Sequence, residues 1–282
     1  MKILHQDASE KVYQFLCIWV FGIWFGYILF DPMIALAQYP KSIYFPAGFL
    51  LKFLPQNIYY WPISFPFLVF LKISLLVLLI SVLFNFHKKW AALGLCFLLS
   101  IFEGIVRSFG HINHPEMLLL ISVFILTIFF FVEDAIDVTN TRISKYGIPI
   151  ITILFMVCFT YCFAGIHRLV SRGLEIYGTN TITFWIIEEG KRSRLVNWHL
   201  EDWMLKSSLI NTMMRAGFPL VTLFEISAPF CLISRRFRYI WLLVMVPFHI
   251  VVWLFMGIFF WANLSLYILF FDLTAFFKKK IK

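Results

Sequence analysis

Charged side chains are scarce in this chain of 282 residues. Only 14% of the residues are Asp, Glu, Lys or Arg, whereas 61% are hydrophobic and the mean hydropathy is +0.86. Soluble domains carry roughly 25% charged residues, so the chain as a whole has only about half the usual share. The scarcity of charge therefore excludes an ordinary soluble enzyme or binding domain and indicates an integral membrane protein.

The chain also lacks the signatures of several common sites. Its five cysteines lie inside apolar runs without a framework spacing, which argues against a disulfide scaffold. No zinc-ligand spacing, Walker motif or dinucleotide-binding glycine pattern is present. His111 and His114 are three residues apart, but no nearby Cys or Asp completes a metal set. We therefore predict no metal site.

Apolar runs, by contrast, are abundant. A helix needs about 20 mostly apolar residues to cross roughly 30 Å of hydrocarbon. The pattern predicts an all-α, polytopic membrane helical bundle, with about eight transmembrane helices in one domain over residues 1–282. No cleavage pattern follows the first run, so we expect it to be retained. Gly257 is the expected turn in the long final run. The predicted spans are 12–30, 65–84, 90–107, 115–132, 147–168, 216–234, 238–255 and 257–277.

Positive charge is distributed unequally between the loops. Lys88, Lys89, Arg235, Arg236 and the C-terminal lysines lie in segments that share a side with the N-terminus. Cytoplasmic loops are enriched in Lys and Arg, so both termini are predicted to be cytoplasmic. The net charge of +9 then reflects anchoring at the lipid bilayer and not binding to nucleic acid.

Two segments between the runs are predicted to lie at the outer surface of the membrane. Residues 39–62 combine Tyr and Trp with frequent Pro, which suits an interfacial stretch. Residues 170–210 carry Trp185, Trp198 and Trp203 among mixed charges. That pattern predicts one or two amphipathic helices on the outer face.

A few polar side chains remain in or beside the apolar runs, where a charge at a helix centre costs roughly 2.5–3.5 kcal/mol. The predicted topology gives most of them one depth near the outer leaflet, which favours a shared pocket. Each has a simpler interpretation as well: an ion pair four residues apart, a hydrogen bond between helices, or a snorkelling anchor. The candidates are Glu103, Arg107, Asn113, His114, His167, Arg168, Glu225 and His249.

Three short motifs carry a resemblance to a known family. Asn113-His114 opens an apolar helix, residues 161–169 read Tyr-Cys-Phe-Ala-Gly-Ile-His-Arg-Leu, and Phe248-His249 precedes a Gly-Ile-Phe triplet at 257–259. The chain resembles the transmembrane part of vitamin K-dependent gamma-carboxylases and their bacterial relatives, the horizontally transferred transmembrane (HTTM) proteins. The resemblance implies a bacterial cytoplasmic membrane protein.

The resemblance also implies a reduced, vitamin K-like quinone as cofactor. The counterpart of Asn113-His114 holds the quinone oxygen, and a lysine at the counterpart of His167-Arg168 is the base. Here the lysine falls at Arg168, or at His167 if the alignment shifts by one residue. Arginine effectively stays protonated, so Arg168 can stabilise an oxyanion but is a poor base. The large lumenal domain of the animal carboxylases has no counterpart in this sequence.

Three hypotheses for the function stay open. The first is an HTTM-type protein with an outward-facing pocket for a quinone-like lipid, in which His114, His167 and Arg168 do any chemistry. The other candidates would then bind the ligand. The second is an active carboxylase or epoxidase, a lyase or quinone-dependent oxidoreductase, with His167 as base. The third is a non-catalytic partner in the maturation, export or immunity of a secreted peptide, or of another membrane protein.

Overall fold

The structure, a computed structural model, describes residues 4–46, 53, 55, 58–109, 116–136, 143–173, 181–192 and 200–279. Throughout these ranges the regular elements are helices and no β-strand occurs, which confirms the all-α class. Two compact units are present. The N-terminal unit is Asp7–Ile150 with Thr274–Lys282, and the C-terminal unit is Ile151–Leu273 with Met1–Gln6. The single domain inferred from sequence stays a prediction.

Four long helices build the N-terminal unit. A tight turn joins the second to the third, and Asn85 and His87 adopt positive φ angles of 59° and 45° there. Side chains of this kind tolerate the left-handed region better than branched ones. The helices are α1 (Glu10–Phe30), α2 (Phe65–Leu83), α3 (Lys88–Arg107) and α4 (Met117–Val132).

The core of this unit follows the helical repeat. Val12, Leu16, Val20, Trp24 and Ile28 are fully buried and recur every four residues, so one face of α1 packs inward. The other helices contribute leucine-rich faces of the same spacing. Their fully buried members include Leu68, Leu71, Leu75 and Leu79 on α2, Leu95 and Leu99 on α3, and Leu119 and Leu126 on α4.

The outward faces of these helices are as apolar as the core. Soluble proteins rarely expose large contiguous apolar patches, because the hydrophobic effect disfavours them in water. A hydrocarbon surrounding removes that penalty, so the exposed faces fit lipid contact. Side chains more than half exposed include Ile18, Phe70, Ile73, Val77, Phe97 and Ile128.

A lysine inside α2 is satisfied by the neighbouring helix. Lys72 Nζ donates a hydrogen bond to the backbone carbonyl of Asp31 at 2.8 Å, directly after α1 ends. The last carbonyls of a helix have no partner within it, and cations are favourable at that end. Lys72 therefore supplies a donor to α1 while avoiding an unpaired charge in the membrane.

The C-terminal unit holds most of α5 (Gly147–Arg172), followed by shorter and longer helices. Ser207 and Ser234 are side-chain N-caps for two of them, accepting from the backbone N–H of Ile210 and Phe237. Such caps satisfy otherwise orphaned donors of the first turn. The helices are α6 (Thr181–Arg192), α7 (Glu201–Lys206), α8 (Ser208–Ile226), α9 (Arg235–Met256) and α10 (Trp261–Leu266), and α11 (Leu273–Lys279) extends into the other unit.

Five described helices are long and apolar enough to cross a membrane, which supports the prediction of an integral membrane protein. Two shorter apolar helices, Met117–Val132 and Trp261–Phe270, lie where further spans were predicted. The predicted count of eight is not confirmed. The five are Glu10–Phe30, Phe65–Leu83, Lys88–Arg107, Gly147–Ser171 and Arg235–Met256.

The end of the chain is less regular than its hydropathy suggests. Gly257 adopts φ 66° and ends α9, which confirms the predicted turn. Residues 257–277 then form α10, a 3-10 helix at Tyr267–Phe270 and the start of α11, instead of one continuous helix. The predicted outer segment 170–210 contains two described helices, α6 and α7, and the segment 39–62 contains only short 3-10 helices in its described part.

A buried histidine attaches the N-terminal residues to the C-terminal unit. His5 Nε2 donates to the Leu269 carbonyl at 2.9 Å, and the side chain is buried. Burial lowers the pKa of His5 below its ordinary value of 6.5, and the nearby Asp272 carboxylate only partly opposes this. The native state therefore favours neutral His5.

This histidine predicts an acid-sensitive stability. Because the unfolded chain takes up a proton on His5 below about pH 6.5 and the folded chain resists it, stability is lost as pH falls through that value. We expect the unfolding temperature in detergent to drop between about pH 7.5 and pH 5.5, and to drop less in His5→Gln, whose amide keeps a donor for Leu269. Parallel pH curves for both proteins would contradict the assignment.

Candidate functional site

A buried chain of hydrogen bonds joins three elements of the C-terminal unit. Tyr267 donates from its hydroxyl to the Tyr161 hydroxyl at 2.7 Å, and the Tyr161 hydroxyl lies 2.8 Å from Nε2 of His249. Tyr161 is on α5, His249 on α9 and Tyr267 on the 3-10 helix. All three are at most 5% exposed, so water does not compete for these bonds. These hydrogen bonds fix the three side chains relative to one another.

The tautomer of His249 sets the direction of its hydrogen bond to Tyr161. In the tautomer that accepts at Nε2, the Tyr161 hydroxyl accepts from Tyr267 and donates its own proton to a neutral imidazole. The proton of His249 then resides on Nδ1. That nitrogen is buried and has no hydrogen-bond partner among the described residues. In this tautomer, His249 presents an unsatisfied donor within an apolar interior.

Aromatic packing holds this chain in place. The Trp241 ring meets Tyr161 edge-on at 5.2 Å and Tyr267 at 5.3 Å between ring centroids. Its indole N–H donates to the Phe224 carbonyl at 2.9 Å, which ties α9 to α8. The Phe260 ring lies 5.1 Å from the imidazole of His249. The polar groups are therefore surrounded by flat apolar surfaces.

A second polar cluster lies on α5 and α8. Arg168 makes a two-pronged ion pair with Glu225, with Nη1 bonded to one carboxylate oxygen and Nη2 to the other at 3.2 Å. Nη1 also donates to the Thr222 hydroxyl at 3.1 Å, and the guanidinium lies 4.7 Å from the Phe218 ring centroid. Phe218, Thr222 and Glu225 recur at helical spacing, so one face of α8 receives the whole guanidinium.

A glycine makes this approach possible. A Cβ at Gly165 would lie 2.8 Å from Cγ1 of Ile226 and 3.1 Å from its backbone nitrogen. No larger residue fits without moving α8, because the obstacle includes backbone. Gly165 is one turn before Arg168, so the close packing occurs beside the ion pair. Gly165, which precedes His167-Arg168 in the sequence, therefore has a packing role.

The other predicted site residues are distributed differently. Glu103 and Arg107 form the predicted intrahelical pair at 3.6 Å, but they belong to the N-terminal unit. His167 is exposed, on the turn that also carries the paired Arg168. Asn113 and His114 lie outside the described residues. The structure thus brings Arg168 to Glu225, and His249 to two tyrosines that sequence analysis had not assigned to the site.

The sequence did not single out three residues of the site, Tyr161, Thr222 and Tyr267. Their aromatic rings or methyl groups are apolar, so they do not stand out within an apolar run. A buried tyrosine hydroxyl usually requires a partner, so Tyr161 inside a membrane span was an available signal. For Tyr267 and Thr222 no local sequence pattern indicates the partner. Among the described residues, no group of three His, Cys, Asp or Glu is placed to hold a metal ion.

No family model, curated protein or solved structure matches this chain. The roles of these residues are therefore interpreted from their contacts. The arrangement offers one buried donor on a neutral histidine and one compensated arginine charge. The first can bind a neutral acceptor such as a carbonyl oxygen, and the second is already occupied by a carboxylate.

The ion pair predicts a strong, non-additive effect on stability. Arg168→Met or Glu225→Met alone leaves a buried charge without its partner, and each should lower the free energy of unfolding by about 3 kcal/mol. The double variant removes both charges and should be clearly more stable than the sum of the two losses implies. Denaturation of the four proteins in detergent measures this cycle, and additive losses would show that the pair is not coupled.

Gly165 provides a separate prediction about helix packing. Gly165→Ala should destabilise the protein by about 1–3 kcal/mol, because the added methyl group forces α8 away from α5. Gly217→Ala is the matched control, since that helical position in the same unit has no atom within 4 Å of an added Cβ. Its stability should be unchanged or higher, in line with helix propensity. Equal thermal stability of both variants would refute the close-packing role.

Proposed function

We propose that this chain is a membrane protein of the HTTM type whose C-terminal unit binds a quinone-like lipid. His249 is the central residue of the proposal, with Nδ1–H as the donor to one quinone oxygen. The observation that carries it is the buried Nδ1 without a partner in the described part of the chain. An unmet buried donor costs free energy, which a ligand acceptor recovers.

The chemistry of the surroundings supports this ligand class. A quinone carbonyl accepts hydrogen bonds but carries no charge, so it suits a neutral imidazole better than an ammonium or guanidinium. Tyr161 and Tyr267 hold the imidazole in the tautomer that donates from Nδ1. Phe260 and Trp241 supply flat apolar neighbours for a ring. A bound quinone would bring two-electron redox chemistry to the site.

Arg168 and His167 take different positions in this proposal. Arg168 is bound by Glu225 and Thr222, so its first role is to fix the position of α5 along α8. Tyr161 is two turns earlier on α5, so its position depends on the same contact. His167 is exposed and remains the candidate base of the carboxylase or epoxidase alternative. His114 and Asn113, the expected quinone ligands, remain candidates by resemblance. Glu103 and Arg107 are retained as an ion pair.

The finer topology belongs to the same proposal. We infer about eight crossings with both termini in the cytoplasm of a bacterial cell. The five long apolar helices, the shorter helix Met117–Val132 and the broken run Trp261–Phe270 support a count above five. The loop charges support the orientation.

A partner protein is the second candidate, and a specific surface favours it. Phe184 and Trp185 are exposed on α6, and Trp203 is exposed on α7. Aromatic residues of this kind are enriched at protein interfaces. These aromatic side chains suit contact either with the interfacial region of the membrane or with a secreted peptide. Binding of a secreted peptide would make the protein a partner in maturation, export or immunity.

Mass spectrometry of co-purified quinones tests the leading function. Wild-type protein reconstituted with a menaquinone or ubiquinone pool should retain quinone, and His249→Phe should retain it at least about tenfold less, because it loses the donor. Tyr267→Phe should show an intermediate loss, since it removes only the hydroxyl that orders the chain. His87→Asn, an exposed histidine of the other unit, is the matched control.

Two outcomes would reject the proposal. The site assignment fails if His249→Phe retains as much quinone as wild type. Quinone binding itself fails if wild type retains none from the supplied pool. Quinone epoxide formed from reduced quinone and oxygen would favour the carboxylase or epoxidase alternative, and a peptide that co-purifies with wild type and not with Trp185→Ala would favour the partner role.

A further inference from the structure

The N-terminal unit contains a cavity of about 480 Å³ whose lining includes none of the candidate site residues above. It is lined by residues from the start of α1, the end of α2, the start of α3, the residues after α4 and those before α5. Because successive antiparallel helices alternate in direction, these five ends belong to one side of the unit. In a membrane, helix ends of this kind lie at the level of the lipid headgroups.

Two lysines of this lining make no ion pair with any described carboxylate. Lys88 Nζ lies 3.9 Å from the ring centroid of Phe130 and 5.4 Å from that of Tyr13, and Lys145 Nζ lies 5.8 Å from that of Tyr146. Within the described ranges neither makes an ion pair, whereas the adjacent Lys89 pairs with Asp134 at 3.2 Å. Aromatic faces hold the Lys88 and Lys145 side chains without neutralising their charge, so both remain available to an anion.

A buried hydroxyl points to the same ligand chemistry. Tyr13 lines the cavity, is only 3% exposed, and its hydroxyl has no hydrogen-bond partner in the described part of the chain beyond the neighbouring Cys17 thiol. A thiol is a weak hydrogen-bonding group. The Tyr13 ring stacks on Tyr146 at 5.6 Å, which fixes its position. The hydroxyl is therefore a fixed donor without a strong acceptor.

Three carboxylates line the cavity, those of Glu10, Glu133 and Asp134. Glu10 accepts from the Gln14 amide at 2.9 Å, and Asp134 pairs with Lys89. Glu133 follows the last residue of α4, is half-buried and lines the same space. No cation lies within salt-bridge distance of its carboxylate among the described residues. A ligand that carries only negative charge would leave Glu133 facing a like charge. A ligand with an anionic and a cationic group would satisfy both sides of the cavity.

The lining becomes apolar along α1. Ile18 and Phe21 continue the surface that begins at Glu10 and Tyr13, and Leu83 faces it from the end of α2. Ile18 is five residues after Tyr13, a rise of about 7.5 Å at 1.5 Å per residue of helix. That distance is comparable to the thickness of the headgroup layer on one side of a bilayer. Ile18 is 61% exposed, so the apolar end is open to lipid.

We propose that this cavity binds the headgroup of an amine-bearing phospholipid. Lys88, Lys145 and the Tyr13 hydroxyl contact the phosphate, Glu133 receives the primary ammonium, and an acyl chain follows Ile18. A quaternary ammonium fits less well, because it has no N–H to donate to a carboxylate. A lipid with a glycerol headgroup fits less well, because it leaves Glu133 without a cation. The site is independent of the quinone proposal, since it uses other residues.

Native mass spectrometry of the full chain in detergent tests this site directly. The protein is titrated with short-chain phosphatidylethanolamine, phosphatidylcholine and phosphatidylglycerol, and with water-soluble glycerophosphoethanolamine. We expect the ethanolamine lipid to bind at least about tenfold more tightly than the other three ligands, as the loss of one charge-assisted hydrogen bond implies. Equal binding of phosphatidylglycerol would overturn the role of the amine. Equal binding of glycerophosphoethanolamine would overturn a membrane lipid as the ligand.

Neighbouring substitutions provide the controls. Lys88→Gln should weaken binding of the ethanolamine lipid by about tenfold, whereas Lys11→Gln, at an exposed lysine of the same unit outside the lining, should not. Glu133→Gln should abolish the preference for ethanolamine over glycerol. Tyr13→Phe removes one oxygen only and should weaken binding even if Lys88→Gln proves unstable. Unchanged affinity in Tyr13→Phe and Glu133→Gln, or equal losses in Lys88→Gln and Lys11→Gln, would refute the site.

Discussion

The ion pair between Arg168 and Glu225 is the interaction on which the C-terminal unit depends. A charge in apolar surroundings is tolerated only with a partner, and two parallel hydrogen bonds fix both side chains in one geometry. This geometry determines the register of α5 against α8, and Gly165 allows the necessary approach. Tyr161 is seven residues earlier on α5, so the register of α5 against α8 also determines the position of Tyr161. The hydrogen-bonded chain to His249 therefore relies on a contact two helical turns away.

Much of the fold was predictable because hydropathy reports what surrounds a helix. The first predicted span, 12–30, matches Glu10–Phe30, and the second, 65–84, matches Phe65–Leu83. Gly257 was predictable as a turn because it interrupts a run too long for one crossing. The break after it was not predictable, since residues 257–277 are nearly all apolar. Hydropathy measures the preference of side chains for lipid, and it does not report whether the backbone continues as one helix.

The site was predictable only where polarity is rare. Arg168, Glu225 and His249 stand out because ionisable residues are expensive inside a membrane. Glu103 and Arg107 could be paired from their spacing, since the contact is local to one helix. The partners of Arg168 and His249 are 57 and 88 residues away in sequence, so no local pattern reveals them. The roles of Tyr161 and Tyr267 could not be predicted, because a hydropathy pattern treats the tyrosine ring as apolar and does not report the hydroxyl.

The bond between Lys72 and the end of α1 has a consequence for how the protein is made. Lys72 lies in the first half of α2, and its partner is the carbonyl of Asp31, which is 41 residues earlier. If α2 entered the bilayer alone, this ammonium would meet hydrocarbon without an acceptor, at a cost of a few kcal/mol. With α1 already in place, an acceptor is waiting at the correct depth. Because α1 precedes α2 in the chain, the acceptor for Lys72 is synthesised before its donor.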